Sequence, residues 1–227
     1  MTEPTPTPPC PPFNYTKYEV DDYDIPYETH LTSQPPGSVQ YKHVANGSYV
    51  IQPTSALPPP YGPSPSPPLV TTTTSTTDPT TPKILLIQRA AHDSWPNRWE
   101  IPGGACDPGE ASMLDSVARE LWEEAGLTAT RVGPLVGGTK HLFTTRTGNL
   151  VCRFSFLVDV LKKTPEAALE VTLDPNEHQA FVWATEEEVR VGRVGDVELV
   201  FTNQATREGV MEAFRVWNEL RQGTPTV

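Results

Sequence analysis

Gly103-Gly104-Ala105-Cys106-Asp107-Pro108-Gly109-Glu110, then residues 111–118, then Arg119-Glu120-Leu121-Trp122-Glu123-Glu124-Ala125-Gly126-Leu127, is the most informative segment of this chain. Leu114, Val117, Ala118, Leu121 and Ala125 recur at spacings of three and four, which predicts an amphipathic helix over 112–125. Ser112 is placed to cap its start, with Asp115 three residues on, and Gly126 stands where a helix C-cap belongs. Glu120, Glu123 and Glu124 fall at i, i+3 and i+4, so they share a face roughly opposite the apolar stripe. Like charges so placed repel by a few tenths of a kcal/mol per pair. A hard divalent cation turns that cost into binding energy, because Mg²⁺ prefers carboxylate oxygen. Gly103-Gly104 permits a tight turn that brings backbone carbonyls near such an ion. Arg119 can orient the carboxylates through its forked donors.

Strand signals flank this segment. Lys83–Ala90 (KILLIQRA) is a compact apolar run suited to a buried strand, and Arg98–Gly104 (RWEIPGG) ends a second strand in a glycine turn. Residues 135–143 and 150–161 read as strands about a turn at Thr147-Gly148-Asn149, and Gln179–Ala184 as another. Thr185–Glu188 has a capping-box pattern opening a short helix. A C-terminal amphipathic helix over 204–221 turns Val210, Phe214 and Trp217 inward. Strands, helix, strands, helix in that order predict an α+β fold, an α/β/α sandwich.

Glutamates clustered on a helix are ordinarily a solvated face, and the short REUxEE pattern alone carries little. Each fixed position is matched by chance about 6% of the time, so seven together arise roughly once in 10⁸ trials. The segment resembles the Nudix box, G-x5-E-x7-R-E-U-x-E-E-x-G-U, with U aliphatic. Gly104, Glu110, Arg119, Glu120, Leu121, Glu123, Glu124, Gly126 and Leu127 match. One departure is that eight residues, not seven, separate Glu110 from Arg119. The resemblance covers about residues 83–217, since LLIQRA…RWEIPGG and EHQAFVWATEEEV also look like the family's flanking elements.

It implies a Nudix fold, a mixed sheet between helices, and Mg²⁺- or Mn²⁺-assisted attack of water on a phosphoanhydride of a nucleoside-diphosphate derivative. By motif position, Glu120 and Glu124 are the main metal ligands and Glu123 a ligand directly or through water. The Gly104 carbonyl is a further donor, and Arg119 orients the glutamates. Glu120 is the first choice of general base, ahead of Glu177 and Glu187. The rival readings are a catalytically weak or inactive Nudix-fold nucleotide sensor, and an interaction protein working through its Pro/Thr-rich region.

The rest of the chain sets bounds. Of 26 prolines, 19 fall in the first 82 residues. Residues 1–82 are therefore expected to be a mostly disordered Pro/Thr/Ser-rich extension, contributing at most a strand near 48–57 that Pro53 confines to an edge. Residues 83–222 form the domain and 223–227 a tail. A net charge of −11 argues against broad nucleic-acid or membrane-surface binding. Three scattered cysteines (Cys10, Cys106, Cys152) suggest neither a disulfide framework nor a zinc cluster. The N-terminus lacks the basic and apolar regions of a secretory signal, and no apolar run approaches the roughly 18 residues of a membrane span. The expectation is a soluble, cytoplasmic protein. Pro58-Pro59-Pro60-Tyr61 matches the pattern that WW domains read, a cheap match in so proline-rich a tract. His178 and one of Trp95, Trp99, Trp122 and Trp183 are candidates for substrate contact, although such residues more often serve packing.

Overall fold

The structure is a computed structural model, and it describes residues 12–53, 81–137, 141–145, 147–164 and 168–222. In chain order come β1 (Thr16–Lys17), a 3-10 turn (Asp21–Tyr23), α1 (Tyr27–Thr32), β2 (His43–Tyr49), β3 (Ile51–Pro53), β4 (Pro82–Arg89) and β5 (Trp99–Glu100). Then follow α2 (Met113–Ala125), β6 (Ala129–Leu135), β7 (His141–Thr144), β8 (Leu150–Val160), β9 (His178–Thr185), α3 (Glu186–Val191), β10 (Arg193–Val194), β11 (Val197–Glu198) and α4 (Gln204–Gln222).

The layering follows from the two-residue repeat of a strand. In β4, Leu85 and Ile87 join one apolar core with Leu114, Val117 and Leu121 of α2. Ile84 and Leu86 join a second core with Val210, Ala213 and Phe214 of α4. Strand β9 divides in the same way, with Phe181 and Trp183 on one side and Val182 and Ala184 on the other. Strands covered on both faces explain why KILLI reads as a continuous apolar run rather than an alternation. Helices α2 and α4 therefore pack on opposite faces, which is the α/β/α arrangement expected from the element order.

Two sheets make the middle layer. One has the order β1-β6-β8-β2 with β7 also on β8; the other places β3, β5 and β9 on β4. Strand β2 runs parallel to β8 from His43↔Val151 to Tyr49↔Leu157, whereas β6 and β7 are antiparallel to β8, so the first sheet is mixed. The glycine turn is stitched to β2. The Asn46 N–H donates to the Gly104 carbonyl at 2.8 Å, Ser48 N–H to Pro102 at 2.8 Å and Cys106 N–H to Val44 at 3.0 Å.

The N-terminal expectation needs correction. Residues 12–53 are not an extension: β2 is a strand of the mixed sheet, and Phe13, Tyr15, Tyr23, Tyr27 and Leu31 pack on the α2 core. The Tyr23 ring lies 5.1 Å from Phe154 and 5.3 Å from Phe156. Tyr15 donates its hydroxyl to Asp115 at 2.7 Å, and Met113 N–H donates to the Ile25 carbonyl at 2.9 Å, so this segment is tied to the first turn of α2. Its aromatic residues anchor singly, with no helical or strand period, and composition alone therefore read as unfolded. The strand placed near 48–57 overlaps the end of β2 and all of β3, in which Pro53 pairs with Pro82, and residues 54–57 lie outside the described residues. The strand expected over 135–143 is two strands, β6 and β7. Residues 1–11, 54–80 and 223–227 lie outside the described residues, and with them Pro58–Tyr61 and the tail. No helix among the described residues is long and apolar enough to cross a membrane.

Because β2 forms one whole side of β8, a chain starting at Lys83 is expected to lose cooperative folding. Thermal melts followed by near-UV circular dichroism check this, and a sharp transition matching the full chain would show β2 to be dispensable.

Candidate active site

Helix α2 builds most of the site. The Ser112 hydroxyl accepts the Asp115 N–H at 3.1 Å, and Gly126 caps the far end, as the sequence predicts. Leu114, Val117, Ala118, Leu121 and Ala125 are wholly buried, which fixes the helix roll and aims Glu120 and Glu124 at the Gly103-Gly104 turn.

Arg119 gathers the acids. Its Nε donates to Glu110 Oε1 at 2.7 Å, and its Nη1 to Glu120 Oε1 at 3.0 Å and Glu123 Oε2 at 2.8 Å. Its Nη2 donates to the Ala105 carbonyl at 3.0 Å and the Ser116 hydroxyl at 3.3 Å. Before the one-residue departure in spacing, Asp107 N–H donates to Glu110 Oε2 at 2.8 Å. Glu110 thus reaches Arg119 despite the departure from the usual spacing.

The three helical glutamates do not end in one place. Glu120 lies against Gly104: a Cβ there would stand 2.6 Å from Glu120 Oε1, so a side chain at 104 would push the carboxylate from this position. Glu124 is 5% exposed and accepts the Gly103 N–H at 2.6 Å; Gly103 has φ +145°, and a side chain there would overlap the Asn46 carbonyl. Glu123 points outward and stays on Arg119. The Gly104 carbonyl already accepts the Asn46 N–H, which leaves one lone pair for another partner.

Glu124 meets a second group instead. Ligand atoms of Glu124, Glu177 and His178 all lie within 4.8 Å of one another. Glu177 and His178 stand at the start of β9, which the Arg89↔His178 pairing sets beside the end of β4. His178 is 1% exposed, and its Nε2 lies 3.3 Å from Glu100 Oε1. Arg89 Nη1 donates to the same oxygen at 2.6 Å, and also binds Asp93 and the Ser94 carbonyl. Among the described residues, His178 Nδ1 has no hydrogen-bond partner. Glu187, the other candidate base, is paired with Arg190 on α3.

The electrostatics record the crowding. Burial pushes the Glu120 carboxyl up to about 7 against the pull of Arg119, and the charges of Glu123 and Glu177 add to the rise. Burial, then the Glu120 charge, carries Glu124 well above the carboxylate range despite the Gly103 N–H. Glu100 goes the other way: burial would raise it, but His178, Arg89 and Arg153 outweigh that and hold it ionised.

Sequence reasoning put Arg119, Glu120, Glu123, Glu124 and Gly104 here; Glu177 and His178 stood only as secondary candidates. It missed Arg89 and Glu100. Both sit inside the apolar strand patterns LLIQR and RWEI, where a charged residue that is itself buried is the signal that could have revealed them.

A family profile described as NUDIX domain matches residues 70–202. A CTP pyrophosphohydrolase of Escherichia coli (strain K12) is 36% identical over 106 residues, covering 47% of this chain and 69% of that protein. An RNA pyrophosphohydrolase of Psychrobacter sp. (strain PRwf-1) is 46% identical over 48 residues, covering 21% of this chain and 25% of the other. In structure the chain is similar to a C. elegans Ap4A hydrolase binary complex, with a TM-score of 0.51 and 16% identity, covering 78% of this chain and 98% of that one. With its box in the geometry described, the chain belongs to the Nudix family, as a Nudix hydrolase acting on phosphoanhydride bonds.

Proposed function

We propose that this protein is a divalent-metal-dependent pyrophosphohydrolase that cleaves the diphosphate linkage of a nucleoside-diphosphate derivative. The observation that carries the proposal is the burial of Glu120 and Glu124 beside Glu177 with too little positive charge to match them. Arg119 serves Glu110, Glu120 and Glu123, and among the described residues Glu124 accepts only a backbone N–H. Buried carboxylates so placed cost free energy unless a cation joins them. A hard divalent ion fits this donor set of carboxylate oxygens. The substrate class is further supported by the names of the two pyrophosphohydrolase relatives.

Glu120 and Glu124 would hold Mg²⁺ or Mn²⁺, with Glu177 and the free lone pair of the Gly104 carbonyl as further donors, and Glu123 through water. Such an ion supplies Lewis acidity and neutralises charge on the diphosphate. The chain's own residues do the rest. Glu120 takes the proton of the attacking water as its oxygen bonds to phosphorus and the bridging P–O bond breaks, the electron pair leaving with the departing phosphate. Arg119 keeps the carboxylates in place and never loses its charge. Gly103 N–H fixes Glu124, and Arg89 with Glu100 fixes His178.

The test is turnover of a panel of nucleoside-diphosphate derivatives with Mg²⁺ or Mn²⁺, with product analysis. Binding without turnover of any member would turn the assignment to a nucleotide sensor. E120Q is expected to lower kcat at least about 10²-fold, and near-wild-type activity would remove Glu120 from the site. Metal-free stability should move the other way. The folded-state value of Glu120, about 7, lies above its ordinary one, so its protonated form favours folding and that stability is lost as pH rises through 7. Metal-free E120Q is therefore expected to melt above wild type at pH 8, with the gap narrowing as pH falls below about 7. Added Mg²⁺ at pH 8 should raise the wild-type Tm more than that of E120Q.

A further inference from the structure

Arg153, in the middle of β8, is a charged side chain that the acidic centre does not use. We propose that its guanidinium binds a phosphate group of the substrate, on the sheet face turned toward α4. This inference rests on the pyrophosphohydrolase reading and gives the diphosphate a protein cation in addition to the metal.

Strand register places it there. Cys152, Phe154 and Phe156 belong to the α2 core, whereas Leu157 joins the α4 core. Arg153 alternates with the first set and so shares the face of Leu157. It pairs with Ala45 of β2, whose other edge carries the Pro102 and Gly104 carbonyls. The side chain crosses β2 toward the glycine turn along a path that two glycines leave open. A Cβ at Gly47 would stand 3.1 Å from Arg153 Nε, and one at Gly103 would stand 3.0 Å from Nη2. Gly103 is also the residue whose N–H holds Glu124 at 2.6 Å. The guanidinium and the acidic centre therefore meet at a single residue.

The bonding of Arg153 is incomplete. Its Nε donates to the Asn46 carbonyl at 3.0 Å, which fixes the plane of the group. Its Nη2 is sealed from solvent and has no acceptor among the described residues. Arg89, Arg119, Arg131, Arg190 and Arg215 each hold at least one carboxylate. Half-buried Arg153 forms no ion pair among the described residues, although the chain carries 28 acidic residues and a net charge of −11. A guanidinium cannot shed its proton, so an unpaired buried donor costs free energy until an acceptor arrives. Phosphate oxygens match its forked donors. Arg119 is committed to its own glutamates, which leaves Arg153 to meet an anion that approaches the turn from the α4 side.

The experiment uses the full chain and methylenebisphosphonate, an uncleavable diphosphate, titrated by calorimetry with and without Mg²⁺. R153Q is expected to weaken binding of this probe roughly 10- to 100-fold, the loss of a charge-assisted fork, with R153K between the two. Mg²⁺ affinity, titrated without the probe, is expected to stay at the wild-type value. In turnover, KM should rise by a similar factor with little change in kcat. Unchanged probe affinity in R153Q overturns the proposal, as does a wild-type chain that binds no probe. A fall in Mg²⁺ affinity matching the fall in probe affinity makes Arg153 a prop for the turn and also overturns it. Should R153Q fail to fold, a crystal structure of the wild-type chain with Mg²⁺ and the probe decides. A phosphonate oxygen is expected within hydrogen-bond distance of an Arg153 Nη atom, and a probe bound elsewhere sinks the assignment. Nucleotide turnover that R153Q leaves untouched removes the arginine alone. Probe binding that depends on Arg153, with no turnover of the substrate panel, removes the catalytic reading and keeps the phosphate contact.

Discussion

One guanidinium faces four carboxylates, three of them within 3.0 Å and Asp107 at 3.7 Å, and the surrounding fold is arranged around that imbalance. Arg119 can satisfy Glu110, Glu120 and Glu123 only because its donors spread in a plane, and a lysine at the same place would offer a single point charge. The remaining charge, on Glu124, is left to a backbone N–H. Keeping such a group together requires rigid supports. The wholly buried stripe of α2 and the stitching of the Gly103-Gly104 turn to β2 supply them. The turn stands between strand and helix, so both glycines are pressed by neighbours from either side.

The second half of the site comes from another part of the sheet. Register between β4 and β9 delivers Glu177 and His178 beside Glu124, and Glu100 from β5 reaches the same ring. Arg89 then links Glu100 to Asp93 and Ser94, so the loop between β4 and β5 is mechanically joined to the acidic cluster. The position of the His178 ring and the conformation of that loop are therefore coupled through one side chain.

Much of this was legible in the residues. The box fixed the helix, its caps and the inward stripe, because spacing along a helix is local information. The same local spacing places Arg119, Glu120 and Glu124 together on α2, whereas Gly104 follows from the motif resemblance. What spacing could not show is where side chains from distant strands arrive. Glu177 and His178 are 50 and 51 positions beyond the end of the box at Leu127, and the β4–β9 register brings them in. The N-terminal aromatic segment was misjudged for a related reason: Tyr15, Tyr23 and Tyr27 are stabilised by partners on α2 and β8 rather than by any pattern of their own. Proline-rich composition measures what a segment can do alone, not what a finished sheet offers it.

The pairing of Pro53 with Pro82 changes how the low-complexity tract should be seen. Chain departs and re-enters at neighbouring rungs of one antiparallel ladder, so the tract is an insert within a hairpin and not a leash in front of a domain. Closing such an insert costs little more as it grows, about 0.6 kcal/mol per doubling of its length. Its size is thus nearly decoupled from the stability of the sheet that anchors it. That junction is a natural port where a tag or a whole folded module could be spliced without disturbing the catalytic layer.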